Sequence, residues 1–304
     1  MILTTSYISP PGFGHRIFVW EYLYLINQYN NFKFDLVLSD SIYEETKYLD
    51  FPKTKIVSDD RYTTKKFRAK KIVAEILDKQ LTSHDHMLKD WDCCYFHNEN
   101  IFIPDIDTLR PIQEIQMKDK KLLQKIKDTV KDCIGIHVRR GDLKDDGSEN
   151  YKKWLNRDNN NWRYAYLEDN YYLTRLENHP NKKFYLSSDA TLEELKFITD
   201  NYDVIMSDDI LGEKKERIKW GFNDNYYMHG GPKIDLHSIV DLMALTYSKK
   251  FIASNSMWSE FISNYKQDSW NNTDTIYPTK CYKVAPREGL YYLDYGFPSS
   301  MLRS

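Results

Sequence analysis

Apolar and polar positions follow two rhythms along this chain, and the changes from one to the other predict its elements. Residues 2–8 are β-branched and aromatic, the segment Pro10-Pro11-Gly12-Phe13-Gly14 breaks the pattern, and a long apolar stretch covers 17–26. This predicts a strand, a glycine turn and a buried helix, followed by a second short strand over 34–38. Over 67–81 the apolar residues Ala69, Ile72, Val73, Ile76 and Leu77 fall at helical spacing, with Lys65, Lys66, Lys70 and Lys71 on the outer side. A basic amphipathic helix is expected there. Its ordinary role is a solvated face, and its rarer one is contact with an anionic membrane surface or a lipid-linked acceptor.

A further helix is predicted over 117–131, with Leu122, Leu123, Ile126 and Val130 on one stripe. It leads into Ile134-Gly135-Ile136-His137-Val138, which is short, apolar and bounded, as a central parallel strand should be. Phe184-Tyr185-Leu186 repeats that character, and Leu192, Leu195 and Ile198 follow at helical spacing. A strand over 202–206, a helix over 236–247, the strand Phe251-Ile252-Ala253 and a helix over 257–265 complete the series. The alternation predicts an α/β protein of two doubly wound domains facing a cleft, divided near residue 125 into 1–125 and 126–304.

Composition narrows the function classes. The 304 residues carry 43 Lys+Arg against 45 Asp+Glu, a net charge of −2. That balance excludes a protein that binds nucleic acid by bulk charge. An aromatic content of 15% excludes a disordered chain. No run approaches the roughly 20 apolar residues of a membrane span, and the first residues lack the basic flank of a signal peptide. The expectation is a soluble, cytoplasmic protein with at most peripheral membrane contact. Cys93, Cys94, Cys133 and Cys281 lack the paired spacing of a zinc or redox site and read as buried or idle thiols.

Four constellations carry chemistry. His137-Val138-Arg139-Arg140-Gly141-Asp142 stands at the carboxyl end of the predicted central strand, where side chains project into the ligand crevice of an open parallel sheet. Two adjacent guanidiniums are costly to bury without anions, and a diphosphate is their natural partner. The bland reading pairs them with Asp142 and another carboxylate. In Gly12-Phe13-Gly14-His15-Arg16, the glycines Gly12 and Gly14 admit a ligand close to the backbone and the helix start offers free N–H groups. The segment has neither the three-glycine dinucleotide fingerprint nor a P-loop ending, which weakens hydride transfer and ATP hydrolysis as functions. Asp241 and the later Phe251-Ile252-Ala253-Ser254-Asn255-Ser256-Met257-Trp258-Ser259 form the third constellation; Ser256 and Ser259 either donate to phosphate oxygens or cap a helix. Leu186-Ser187-Ser188-Asp189 is the fourth, with Asp189 a cap or a ligand contact. For a metal, Asp105-Ile106-Asp107 imitates an Asp-x-Asp site, while Asp145-Asp146 and Asp208-Asp209 are pairs that an Asp-rich chain yields by chance. No metal is expected.

These segments, in this order, resemble the GDP-fucose-dependent fucosyltransferases of the α1,2/α1,6/protein-O-fucosyltransferase superfamily, most of all the bacterial α1,2-fucosyltransferases. His137-Val138-Arg139-Arg140-Gly141-Asp142 matches the hallmark His-x-Arg-Arg-x-Asp, and Gly12-Phe13-Gly14-His15-Arg16-Ile17-Phe18 is similar to the opening Gly-x-Gly-Asn-Gln-x-Phe. Leu186-Ser187-Ser188-Asp189 and the Asp241 to Ser259 segment follow the second and third family motifs. His15-Arg16 stands where the family has Asn-Gln, and Met257-Trp258-Ser259-Glu260-Phe261 departs from its Thr-Phe-Ser-Trp-Trp run, so linkage and acceptor are not fixed by the resemblance.

The resemblance implies a GT-B-like fold of two Rossmann-like domains. The first would lie on the acceptor side, the second would hold GDP-fucose, and the C-terminal tail would return to the first. It implies metal-independent transfer of L-fucose, with inversion, to a glycan hydroxyl, and no cofactor beyond the donor substrate. Arg139 would hold the β-phosphate with Arg140 beside it, His137 and Asp241 would address the nucleotide, and Asp189, Asn255, Ser256 and Ser259 would complete the pocket. Gly12, Gly14, His15 and Arg16 would contribute from the first domain. Asp142 is a catalytic candidate beside Arg139, and Asp146, Glu149 and Glu21 are further candidates for the base that takes the acceptor proton. Three competing functions remain: a transferase of another GDP-sugar, a metal-dependent UDP-sugar transferase using Asp105 and Asp107, and a non-catalytic carbohydrate-binding protein with Trp154, Trp162, Tyr164 and Tyr166 as sugar platforms.

Overall fold

The computed structural model describes residues 2–4, 13, 17, 20, 24, 27–28, 31–33, 35–40, 44–58, 70–71, 95–96, 116–140, 167–217, 234–254, 256, 258–259, 262 and 275–276. Their strands form two five-stranded sheets and one two-stranded ribbon. In the first sheet β1 (Ile2–Thr4), β2 (Asp35–Ser39) and β4 (Thr54–Val57) run parallel, while β6 (Tyr95–Phe96) and β5 (Lys70–Lys71) extend it antiparallel, in the order β4-β2-β1-β6-β5. Helical positions 13, 17, 20, 24 and 27 are all buried. Their spacing alternates four and three residues, the single apolar stripe of a helix lying on a sheet. Trp20 fixes that helix, donating its indole N–H to Thr54 Oγ1 at 2.9 Å and meeting Phe51 edge-on at 5.0 Å.

The second sheet is parallel throughout: β10 (Val204–Ile205), β9 (Phe184–Ser188), β8 (Ile134–Val138), β11 (Lys250–Ile252) and β12 (Thr275–Ile276), in that spatial order. The chain moves outward from β8 through β9 to β10, then returns to the other side of β8 for β11. The strand order therefore reverses between β8 and β11, the topological switch point beside which ligands sit in open parallel sheets.

Strand alternation divides the buried residues between two layers. Ile134, Ile136, Val138, Phe184, Leu186 and Ile252 face one layer with Tyr171, Tyr172 and Leu176 from α2 (Asp169–Glu177) and Ile198 from α3 (Lys196–Thr199). Gly135, Tyr185 and Phe251, level with one another across β8, β9 and β11, face the opposite layer. There α5 (Leu236–Tyr247) is buried at His237 and from Ile239 to Thr246. It packs on β8 and β9 below, and on α1 (Lys120–Val130) and α4 (Ser207–Leu211) above. A Cβ on Gly135 would come within 2.6 Å of Ser248 Oγ and 2.9 Å of Leu245 Cδ2, so the absent side chain is what admits the end of α5 to the sheet. The buried cluster on this side is continuous with Phe13, Ile17, Trp20 and Tyr24 of the amino-terminal helix.

Several sequence expectations change. The first sheet is mixed rather than wholly parallel, and Lys70 and Lys71 form an antiparallel strand where a basic helix was expected. Phe13 is already helical, so the helix begins inside the glycine segment rather than after it. Helix α1 begins at Lys120, where the Asp119 carboxylate accepts the N–H groups of Lys121 and Leu122. Met117 lies instead in β7 (Gln116–Met117), paired antiparallel with β3 (Leu49–Asp50). A division at residue 125 would cut α1 in two. Because α1 packs on α5, it goes with the second sheet. No helix among the described residues is long and apolar enough to cross a membrane.

Candidate functional site

At the carboxyl end of β8, His137 crosses the switch point to meet the connection after β11. Its Nδ1 lies 2.8 Å from Ser259 Oγ, 2.8 Å from Ser254 Oγ and 3.3 Å from Ser256 Oγ. The hydroxyls are themselves ordered. Ser259 Oγ accepts the main-chain N–H of Ser254, and Ser256 Oγ accepts that of Ser259, capping the helix that includes 258, 259 and 262. Three hydroxyls converging on Nδ1 suit the tautomer that carries its hydrogen on Nε2. Burial, then the positive charges of Arg139 and Lys215, lowers the imidazole pKa to about 3, so the ring is a neutral group. Trp258 lies beside it, ring centroids 6.4 Å apart, and touches Phe13 of the amino-terminal helix at 4.8 Å. The buried Trp258 indole N–H has no partner among the described residues.

The two arginines separate. Arg140 is 3% exposed, and its guanidinium donates to the Leu167 carbonyl and to Asp169 at the start of α2. The same guanidinium lies 5.4 Å from the rings of both Tyr172 and Phe197. It continues the alternation of Ile134, Ile136 and Val138 toward the α2 and α3 layer. Arg140 is thus engaged by Leu167 and Asp169 on the α2 side of the sheet. Arg139 is half-buried, and its charge acts on His137. Asp189 turns toward the backbone, where Oδ1 accepts the N–H of Arg140 at 2.7 Å. Ser188 Oγ, one residue earlier, donates to the Val138 carbonyl at 2.6 Å.

Asp241, on the buried face of α5, is held by two partners. Tyr185 of β9 donates its hydroxyl to Oδ1 at 2.6 Å, and Lys215 donates from Nζ to Oδ2 at 3.0 Å. Burial and the adjacent Asp241 carboxylate push the Tyr185 phenol well above its ordinary pKa, so it stays a donor. Burial works against the Lys215 ammonium, but the Asp241 carboxylate outweighs it and lifts the lysine pKa above its usual value. Arg217, nearby in sequence, forms a bidentate pair with Asp208 at 2.6 and 2.9 Å. Burial opposes the Asp208 carboxylate, and its hydrogen bonds from Arg217 and the Lys215 N–H overcome that and hold the pKa low. Asp209 caps α4 by accepting the N–H of Met206. The pair Asp208-Asp209 is therefore structural.

Of the sequence-predicted site residues, His137, Arg139, Ser256 and Ser259 come together at the switch point. Asp241 adjoins them through Lys215, whose charge also acts on His137. Gly12, Gly14, His15, Arg16, Asp142 and Asn255 lie outside the described residues. So do Asp105, Asp107, Asp145, Asp146, Glu149, Glu21, the aromatics Trp154, Trp162, Tyr164 and Tyr166, and Cys93, Cys94 and Cys281. Cys133 is a buried thiol whose pKa is raised by that burial. Sequence reasoning placed Ser254 in the hydroxyl-rich segment without giving it a role, and missed Tyr185 and Lys215. Ser254 was open to discovery as the first hydroxyl after β11. Lys215 sits in Glu213-Lys214-Lys215-Glu216-Arg217, a run that reads as a solvated loop and gives no signal of a buried contact. No family model matches the chain, and no curated protein matches it.

Proposed function

We propose that this chain is a glycosyltransferase of GT-B-like arrangement that moves L-fucose from GDP-fucose to a hydroxyl of a glycan acceptor, with inversion and without a required metal. The observation that carries the reading is the meeting of His137 and Arg139 with Ser254, Ser256 and Ser259 at the switch point. It supplies a fixed cation, a neutral imidazole and oriented hydroxyls where an open parallel sheet receives its ligand.

The chemistry follows from those groups. In a single displacement the bond from the anomeric carbon to the diphosphate oxygen breaks with oxocarbenium character, and negative charge grows on the departing GDP. Arg139 stabilises that charge from a fixed position, and the neutral His137 donates a hydrogen bond without competing for the acceptor's proton. Ser256 and Ser259 keep the imidazole in its tautomer. Asp189 acts through the backbone at Arg140, and Asp241 through Lys215 and Tyr185. The acceptor proton passes to a carboxylate within hydrogen-bond reach, for which Asp142 is the nearest candidate in sequence. An α1,2 linkage and a surface-glycan acceptor, free or lipid-linked, complete the proposal.

Incubation with GDP-fucose, GDP-mannose and UDP-galactose, each with a panel of oligosaccharide acceptors and with or without EDTA, tests it. The expected product forms from GDP-fucose and survives the chelator. Turnover of UDP-galactose abolished by EDTA would overturn the reading in favour of a metal-dependent enzyme, and glycan binding without turnover would leave a carbohydrate-binding protein.

A further inference from the structure

Once Arg140 is committed to Leu167 and Asp169, the switch point has lost one of its two expected cations, and another stands close by. Lys215 reaches from the loop after α4 to Asp241 on α5, with its Nζ 3.0 Å from Oδ2. The pair is asymmetric. The Asp241 side chain is 4% exposed and the Lys215 side chain 15%, so the lysine is the more accessible member of the pair. The carboxylate is also enclosed from behind, where Tyr185 donates to its other oxygen. An ammonium has three donors, and this contact uses one of them.

We propose that Lys215 is the second cation of the candidate site, contacting the outer phosphate of the diphosphate opposite Arg139, and that Asp241 and Tyr185 position its ammonium instead of reading the nucleotide themselves. The inference rests on the donor reading above in taking a diphosphate as ligand, but it does not depend on the base or the sugar attached to it. A buried carboxylate with both oxygens occupied is poorly placed to recognise a base, and well placed to hold a long, flexible side chain in one position. The charges of Arg139 and Lys215 both act on His137 and lower its pKa.

Calorimetric titration with inorganic pyrophosphate, GDP and UDP tests the assignment, because pyrophosphate carries the charge without the base. The variants are Lys215→Arg and the double variant Lys215→Met with Asp241→Asn, which removes both charges and leaves no buried carboxylate unpaired. The double variant should bind pyrophosphate and GDP at least tenfold more weakly than the wild-type protein, with Lys215→Arg within about threefold of wild type. Equal affinity of the double variant for pyrophosphate would overturn the assignment, and so would a Lys215→Arg variant as weak as the double one. Should the double variant not fold, Lys215→Gln, which keeps a donor to Asp241 and removes the charge, carries the same comparison. A wild-type protein that binds neither probe overturns the assignment together with the donor reading. Lys215-dependent pyrophosphate binding with UDP preferred over GDP would overturn the donor reading alone and sustain Lys215.

Discussion

The main-chain N–H of Arg140 donates to Asp189 Oδ1 at 2.7 Å, tying the carboxyl end of β8 to that of β9. With the chain pinned there, the Arg140 side chain reaches Leu167, Asp169 and Tyr172 on the α2 side of the sheet. Asp189→Ala removes a charge-assisted bond to a half-buried N–H. It should cost about 1.5–3 kcal/mol of stability and weaken nucleotide binding indirectly, whereas Asp189→Asn, which keeps an acceptor, should recover most of the loss. Urea unfolding of the two variants distinguishes them, and equal stability for Asp189→Ala and wild type would remove the tie.

The neighbouring arginines should fail differently. Arg139→Ala should lower turnover of the donor by about 10² to 10³, as loss of a fixed transition-state donor does. Arg140→Met deprives the Leu167 carbonyl and Asp169 of their partner and should cost about 1–3 kcal/mol of stability, with the smaller effect on turnover. Parallel melting and kinetic measurements decide. The reverse pattern would return Arg140 to the site.

His137 makes the fold acid-sensitive. In the unfolded chain its imidazole titrates near pH 6.5, and in the fold only near about 3, because burial and then Arg139 and Lys215 oppose the proton. Between those values the unfolded state binds more protons. The contribution is therefore complete above pH 6.5 and is lost as the pH falls toward 3, with a limiting slope of about 1.4 kcal/mol per pH unit. Stability measured in urea from pH 7 to pH 4.5 should fall less steeply for His137→Gln than for the wild-type protein. Parallel curves would show that His137 protonates freely in the fold.

Gly135→Ala should destabilise by about 1–3 kcal/mol, the usual range for overpacking. Its Cβ would meet Ser248 Oγ at 2.6 Å, and that hydroxyl is held by the carbonyls of Leu245 and Lys250 at 2.7 and 2.9 Å. Adding Ser248→Ala should recover part of the loss, since Leu245 Cδ2 remains at 2.9 Å. Thermal melts of the single and double variants read the effect. A neutral Gly135→Ala would mean that α5 can shift without cost.

Much of the second sheet was legible because its signals are local. The apolar run of β8 and the stripe of Leu123, Ile126 and Val130 in α1 each announce an element without help from the rest of the chain, and the helix expected over 236–247 is α5 to the residue. Strand β4 was missed because Thr54-Lys55-Ile56-Val57 is half polar, its pairing with β2 being a long-range fact. Helix α2 was missed because two of its three buried residues, Tyr171 and Tyr172, are tyrosines whose burial depends on partners distant in sequence, such as Arg140. At the site, residue types and their order along the chain pointed to His137 and Arg139. The partition of Arg139 from Arg140 depends on strand parity, and Lys215 on a loop returning to α5; neither leaves a trace in local pattern.

The contact between Phe13 and Trp258 has an architectural consequence. It joins the amino-terminal helix to the hydroxyl-rich connection beside His137, inside a buried cluster that also takes in Trp20, Ile126 and Met243. Neither half can be excised as a module without baring an apolar wall. A chimera that imports a foreign amino-terminal half would have to bring matching surfaces for α1 and α5 with it, or forfeit the seat of the imidazole.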